Sequence, residues 1–289
     1  MILLAICRFA HFMAAMLAFG ASAYLWLYTP DVLRRSLAPA VGRLVATASV
    51  IALVTAILWL ELEAASMADD WNAATDPGVV GAVLTETAFG AAWIARLVLA
   101  AALVLAVFLR RGHWSTIGIL SGLLLASLAL VGHAAMQTGA EGVLHRVNHA
   151  AHLLAAGAWL GGLVPFLLCL GEYSDAGRRR EVVGAMMRFS LLGHFVVAAI
   201  VATGIVNIAL ISGHAPWPPT TPYRALLDIK ISIVAAMIAL AVFNRYWLVP
   251  RLKCNKEALA SLRLTSVAEV VLGTVVVAIV SVFALLDPA

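Results

Sequence analysis

Residues 142–171 read GVLHRVNHAAHLLAAGAWLGGLVPFLLCLG. An α-helix rises 1.5 Å per residue, and about 20 apolar residues cross the roughly 30 Å of bilayer hydrocarbon. This stretch is therefore long enough to span a membrane. It also carries His145, His149 and His152 at i, i+4 and i+7, which share one stripe of a helix. Ionisable groups inside a span are costly, so each of these imidazoles marks a candidate functional site.

Seven further apolar segments lie on either side, at 2–29, 40–66, 89–110, 114–138, 183–212, 222–249 and 258–286. The chain is 63% hydrophobic and 12% charged, against about 45–50% and about 25% for a soluble domain. No soluble stretch is long enough to build its own core. Lipid offers no partner for unpaired N–H and C=O groups, so the spans must be helical. The expected fold is an all-α integral membrane protein, an eight-helix bundle forming a single polytopic domain over residues 1–289.

The net charge of +4 reports topology rather than nucleic-acid binding. Arg34, Arg35 and Arg43 follow the first predicted span, and Arg110 and Arg111 the third. Arg178, Arg179 and Arg180 follow the fifth, and Arg245, Arg251, Lys253 and Lys256 cluster about the turn after the seventh. The alternate connections hold Asp69, Asp70, Asp76 and Glu86, then Glu141, then a Pro-rich run around Trp217. The positive-inside rule places the basic connections in the cytoplasm and both termini in the periplasm. Arg8, Arg96, Arg146 and Arg224 fall near the outer side and are expected to pair with acids or headgroups. Trp26, Trp59, Trp71, Trp93, Trp217 and Trp247 lie near predicted span ends and read as interface anchors. Residues 1–23 could be a signal peptide, but no basic residue precedes the apolar run, and a retained first helix is expected.

Cys7, Cys169 and Cys254 are far apart with no C-x-x-C pair, which disfavours disulfides and cysteine-based metal sites. The histidines say more. His145 falls near the outer surface and His152 roughly 12–15 Å below the outer end of its helix. His133 and Met136 stand at i and i+3 near the outer end of the predicted fourth span. His11 lies roughly 10–15 Å below the start of the first. Three helices can thus bring imidazoles to one depth. Imidazoles with a thioether suit copper, and Met136 or Met13 could supply the sulfur. Read singly, a buried histidine is more often hydrogen-bonded than metal-bound, and Met13, Met16 and Met136 are more often core filler. Deeper in, His194 and Glu269 are candidates for a secondary or relay site. Arg224, Asp228 and Lys230 read as a structural ion-pair group. The small residues from Ala155 to Gly162 allow close helix packing or, with Pro165, a hinge. There is no Walker loop, nucleotide fingerprint or nucleophile motif, so neither an enzyme nor an ATP-driven pump is expected.

Several of these residues together resemble the copper resistance protein D (CopD) family of copper homeostasis inner-membrane proteins. They are Gly132-His133-Ala134, the run from His152 to Gly162, Arg188-Phe189-Ser190, Thr221-Pro222-Tyr223 with Lys230, Asn244-Arg245, and Glu269. Arg224 stands where the family pattern has glycine. The resemblance covers essentially the whole chain. It implies copper ion as cargo, passage from periplasm to cytoplasm across the bacterial inner membrane, and delivery by a separate periplasmic CopC-like carrier. The direction comes from the resemblance alone. Two other readings stay open on the residues: a membrane haem protein exchanging electrons with quinone, since bis-histidine haem also needs intramembrane imidazoles, and a non-transporting copper chaperone or assembly factor.

Overall fold

The computed structural model describes residues 2–110, 112–132, 137–212, 221–252, 256–283 and 286, and those residues contain helices and turns with no strand. Helix α1 is Ile2–Ala23 and runs on into a π-helical segment, Tyr24–Tyr28; α2 is Asp31–Ala68, α3 Pro77–Glu86, α4 Ala88–Leu109 and α5 Trp114–Ala126. Helix α6 is Gly139–Gly171, α7 Arg179–Ser212 and α8 Pro222–Phe243; a second π-helical segment, Asn244–Leu248, leads into the short α9, Val249–Arg251, and α10 is Lys256–Phe283. Among the described residues, seven helical stretches are long and apolar enough to cross a membrane. The chain is an all-α integral membrane protein.

The fourth predicted span, 114–138, is a shorter apolar helix, Trp114–Leu130. Its ending has both local and tertiary causes. The Ser127 hydroxyl donates back to the Leu124 carbonyl, and Arg96 donates to both the Ser127 carbonyl and its hydroxyl. Gly132 then takes φ +76°, a conformation side chains disfavour. Residues 133–136, which include His133 and Met136, lie outside the described residues.

Helix starts follow local sequence. Asp76 accepts from the amides of Gly78 and Val79, with Pro77 at the first helical position of α3. The hydroxyls of Thr87 and Thr221 cap α4 and α8. A π-turn frees carbonyls, and two arginines collect them at the end of α1. Arg34 donates to Leu25 O and Thr29 O, and Arg188 to Tyr28 O.

Helix α1 lies centrally, packed on α2, α5, α6 and α10. Glycine permits its close approach to α6: a Cβ on Gly20 would strike the backbone of Gly157 and Gly161, and one on Gly161 the Met16 carbonyl. The small-residue run therefore serves packing, and α6 continues unbroken through Pro165. Helices α7 and α8 keep large apolar side chains exposed, such as Leu191, Phe195, Ile205 and Ile229, as a lipid-facing surface should.

Two anchors expected from the sequence are core residues instead. Trp59 and Trp93 are 2% and 0% exposed, with ring centroids 5.0 Å apart. Their indole N–H groups donate to Glu63 Oε1 and Ala56 O. Trp26, Trp71 and Trp247 are exposed as anchors should be; Trp217 lies outside the described residues. Arg8 and Arg96 are likewise buried rather than at the surface. The expected Arg224–Asp228 ion pair forms at 3.0 Å.

At the basic-loop end, Arg178 joins Asp175, Glu172 and the Ser36 hydroxyl, tying α2 to the α6–α7 connection. The Arg178 guanidinium and the Gly177 amide, both donating to Asp175, hold its carboxyl below the usual range. The folded carboxyl thus ionises at lower pH than the unfolded one. Its stabilisation is present above the unfolded value, about 3.9, and is lost as pH falls through the depressed folded value. Asp175→Asn should melt slightly below the parent at pH 7, since exposed ion pairs are weak. That gap should begin to close as pH falls below about 4. A gap that stays constant from pH 7 to pH 3 would reject this account.

Candidate metal site

The histidine stripe of α6 faces α7 and opens on a cavity of about 460 Å³. His145, His149 and His152 all line it, together with Arg8, Met16, Trp59 and Lys230. The rings of His149 and His152 lie nearly parallel, 6.5 Å apart. The i, i+4, i+7 spacing predicts that the three share one face of the helix, and all three line this cavity.

Hydrogen bonds decide which ring nitrogen is offered. The Thr203 hydroxyl donates to Ala199 O, so it accepts from Nδ1–H of His152 at 2.9 Å. That leaves Nε2 of His152 as the lone-pair nitrogen. Thr55 does the same for His11: its hydroxyl donates to Ile51 O and accepts from His11 Nδ1–H at 3.0 Å. His145 Nδ1–H donates to Gln137 Oε1 at 2.8 Å. The Gln137 amide nitrogen donates to Leu210 O, which sets the orientation of that amide. His11 and His152 are thus held with Nδ1–H tied off and Nε2 as the lone-pair nitrogen, and His145 is oriented through its Nδ1–H; such bonds orient metal-ligating histidines. His149 differs. Its Nδ1 accepts, at 3.4 Å, from the amide of Asn207, whose Oδ1 accepts from Asn148.

The other predicted ligands are placed unevenly. His11 is fully buried and meets Trp59 edge-on at 5.7 Å. It is absent from the cavity wall, though Trp59 is part of that wall. Its Nε2 has no hydrogen-bond partner among the described residues. Met13 packs into the apolar core. His145, expected near the surface, is 1% exposed. His133 and Met136 lie outside the described residues. Among the described residues no three His, Cys, Asp or Glu side chains gather as a metal-holding group.

A second, smaller cavity of about 300 Å³ shares Trp159 with the first as a wall residue. His194 and Glu269, the predicted relay pair, both line this second cavity but hold separate partners. His194 donates from Nδ1 to Ser190 O and meets the Tyr246 hydroxyl through Nε2. Glu269 is buried and accepts from the Trp159 indole and the Asn244 amide. Asn244 belongs to the second π-helical segment, and its Oδ1 accepts from Thr265. Such π-turns are frequent at functional sites.

Comparison with known proteins adds an independent line. The family profile for the copper resistance protein D-like N-terminal domain matches residues 1–143, and that for copper resistance protein D matches residues 183–283. The chain is 37% identical over 285 residues to inner membrane protein YebZ of Escherichia coli K12, covering 97% of each. The chain belongs to the copper resistance protein D family. It is also 30% identical over 253 residues to copper resistance protein D of Pseudomonas syringae pv. tomato, covering 84% of this chain and 81% of that protein. No solved structure matches it. With seven long apolar helices among its described residues, this family member is a multi-pass inner-membrane protein. The two profiles leave residues 144–182 between them, and that interval carries the histidine stripe.

The residues that position the imidazoles, Thr55, Gln137 and Thr203, were not singled out by sequence reasoning. They lie between 8 and 51 positions from their histidines. None forms a local motif with its partner.

Proposed function

We propose that this chain moves copper ion across the inner membrane from periplasm to cytoplasm, as a transporter rather than an enzyme. Both termini and the acidic connections then face the periplasm, and the bundle of eight crossings works as one polytopic unit. The observation that carries the proposal is the shared cavity lined by His145, His149 and His152, where His152 presents Nε2 with its Nδ1–H tied to Thr203. Copper handed over by a CopC-like carrier meets His145 and His149 first. It then binds at His152 with His133 and His11, and Met136 or Met13 as soft ligand. Neutral imidazole is the ligating form, so protons compete with the metal. Onward passage goes past Trp159 toward the cavity of His194 and Glu269. Similarity to copper resistance protein D of Pseudomonas syringae supports the cargo, and similarity to an inner membrane protein of Escherichia coli supports the location.

The test is copper flux into proteoliposomes. Vesicles with the parent chain should accumulate copper well above empty vesicles, and His152→Ala should reduce the rate to the empty-vesicle level. Binding without flux in the parent would make it a copper-holding assembly factor and sink transport.

A further inference from the structure

The cavity beside the histidine stripe has the wrong charge for a bare cation. Its described wall carries Arg8 and Lys230 and no carboxylate. Arg8 is 8% exposed, and its Nε has no hydrogen-bond partner among the described residues. Its guanidinium lies 4.9 Å from the centre of the Trp59 ring. Arg96 approaches the same ring at 5.7 Å and stacks on Trp93 at 4.1 Å. Arg96 spends Nε and Nη2 on Ser127, while its Nη1 is unpartnered among the described residues. Glu63 is the acid whose field reaches Arg8. Its Oε1 accepts from the Trp59 indole, and the two make no ion pair within 4 Å among the described residues. Two guanidiniums are therefore buried together inside a membrane with donors unused. Uncompensated buried charge is strongly destabilising, so such a pair calls for an anion.

We propose that this cavity binds a carboxylate on Arg8, reinforced by the charge of Arg96, and that the metal enters accompanied by a carboxylate ligand. The second half rests on the copper reading; the carboxylate site does not. The planar fork of an arginine matches carboxylate and phosphate oxygens. Burial separates those two: Arg8 is buried and lines the cavity, where a singly charged planar carboxylate costs less to desolvate than a phosphate. An anion there offsets the fixed positive charge and lets a cation sit next to the imidazoles.

The experiment uses the full chain, metal-free, in phosphatidylcholine nanodiscs. It is titrated with sodium acetate, and in a second arm with inorganic phosphate, by calorimetry. Acetate should bind saturably, near one per chain, and more tightly than phosphate. Arg8→Gln should weaken acetate binding tenfold or more, and Arg8→Lys should fall between. Absence of saturable acetate binding to the parent overturns the proposal, and so does unchanged affinity in Arg8→Gln. Tighter binding of phosphate than of acetate overturns the carboxylate assignment. Because the parent titration alone can sink it, poor folding of a variant leaves the proposal exposed. A copper titration on the same nanodiscs separates failure of the copper reading from failure of this one.

Discussion

Alanine at both His133 and His152 abolishes stoichiometric copper binding by the purified chain, measured by metal analysis after equilibrium dialysis. His152 lines the cavity with its Nδ1–H held by Thr203, and His133 is the candidate from the neighbouring predicted span. Losing both leaves too few soft donors for a tight site. A companion change separates ligand from support. Thr203→Val keeps the side-chain shape and removes the hydroxyl that accepts from His152 Nδ1–H. The imidazole is then free to rotate or to place its proton on Nε2. Outer-shell losses of this kind typically cost about 10–100-fold in metal affinity. Thr203→Val should weaken copper binding by that factor while leaving the stoichiometry intact. Unchanged stoichiometry in the double alanine variant would remove His133 and His152 as the centre of the site. Unchanged affinity in Thr203→Val would mean that the threonine is structural only.

The second large effect concerns the contact between α1 and α6. Gly161→Ala places a methyl group against the Met16 carbonyl, and Gly20→Ala places one against Gly157 and Gly161. The obstacles are backbone atoms, which cannot rotate away. Overpacking of side chains costs about 1–3 kcal/mol, and a clash with main chain sits at or above the top of that range. Helix α1 also packs on α2, α5 and α10, so a shift there spreads through the bundle. Gly161→Ala should lose most folded yield in detergent, measured by monodisperse elution and thermal melting. Gly171→Ala is the control, because nothing lies within 4 Å of its added methyl; it should melt at or above the parent temperature. Equal stability of Gly161→Ala and the parent would show that the close approach of the two helices is not required.

Much of the architecture was legible because bilayer physics acts locally. Twenty apolar residues in a row announce a span whatever they pack against. The histidine stripe was legible for the same reason, since i, i+4 and i+7 share a face in any α-helix. The failures share a cause. Trp59 and Trp93 look like headgroup anchors by position, and Arg8 and Arg96 look like surface charges. They are core residues because they stack on one another across α1, α2 and α4, a contact with no signature in any one segment. The short α5 was missed because its stop depends on Arg96 reaching Ser127 from another helix.

Sequence alone determined the solvent of this protein, the class of its secondary structure, and the candidate donors on the face of α6. Hydrophobic length and helical periodicity are properties of a single segment, so one segment suffices to read them. Only tertiary structure decided which nitrogen each imidazole presents, which arginines are buried, and which side chains share a cavity. Those depend on a hydroxyl, a carbonyl or an aromatic face supplied by a different helix, and helix packing rather than chain order sets that neighbour.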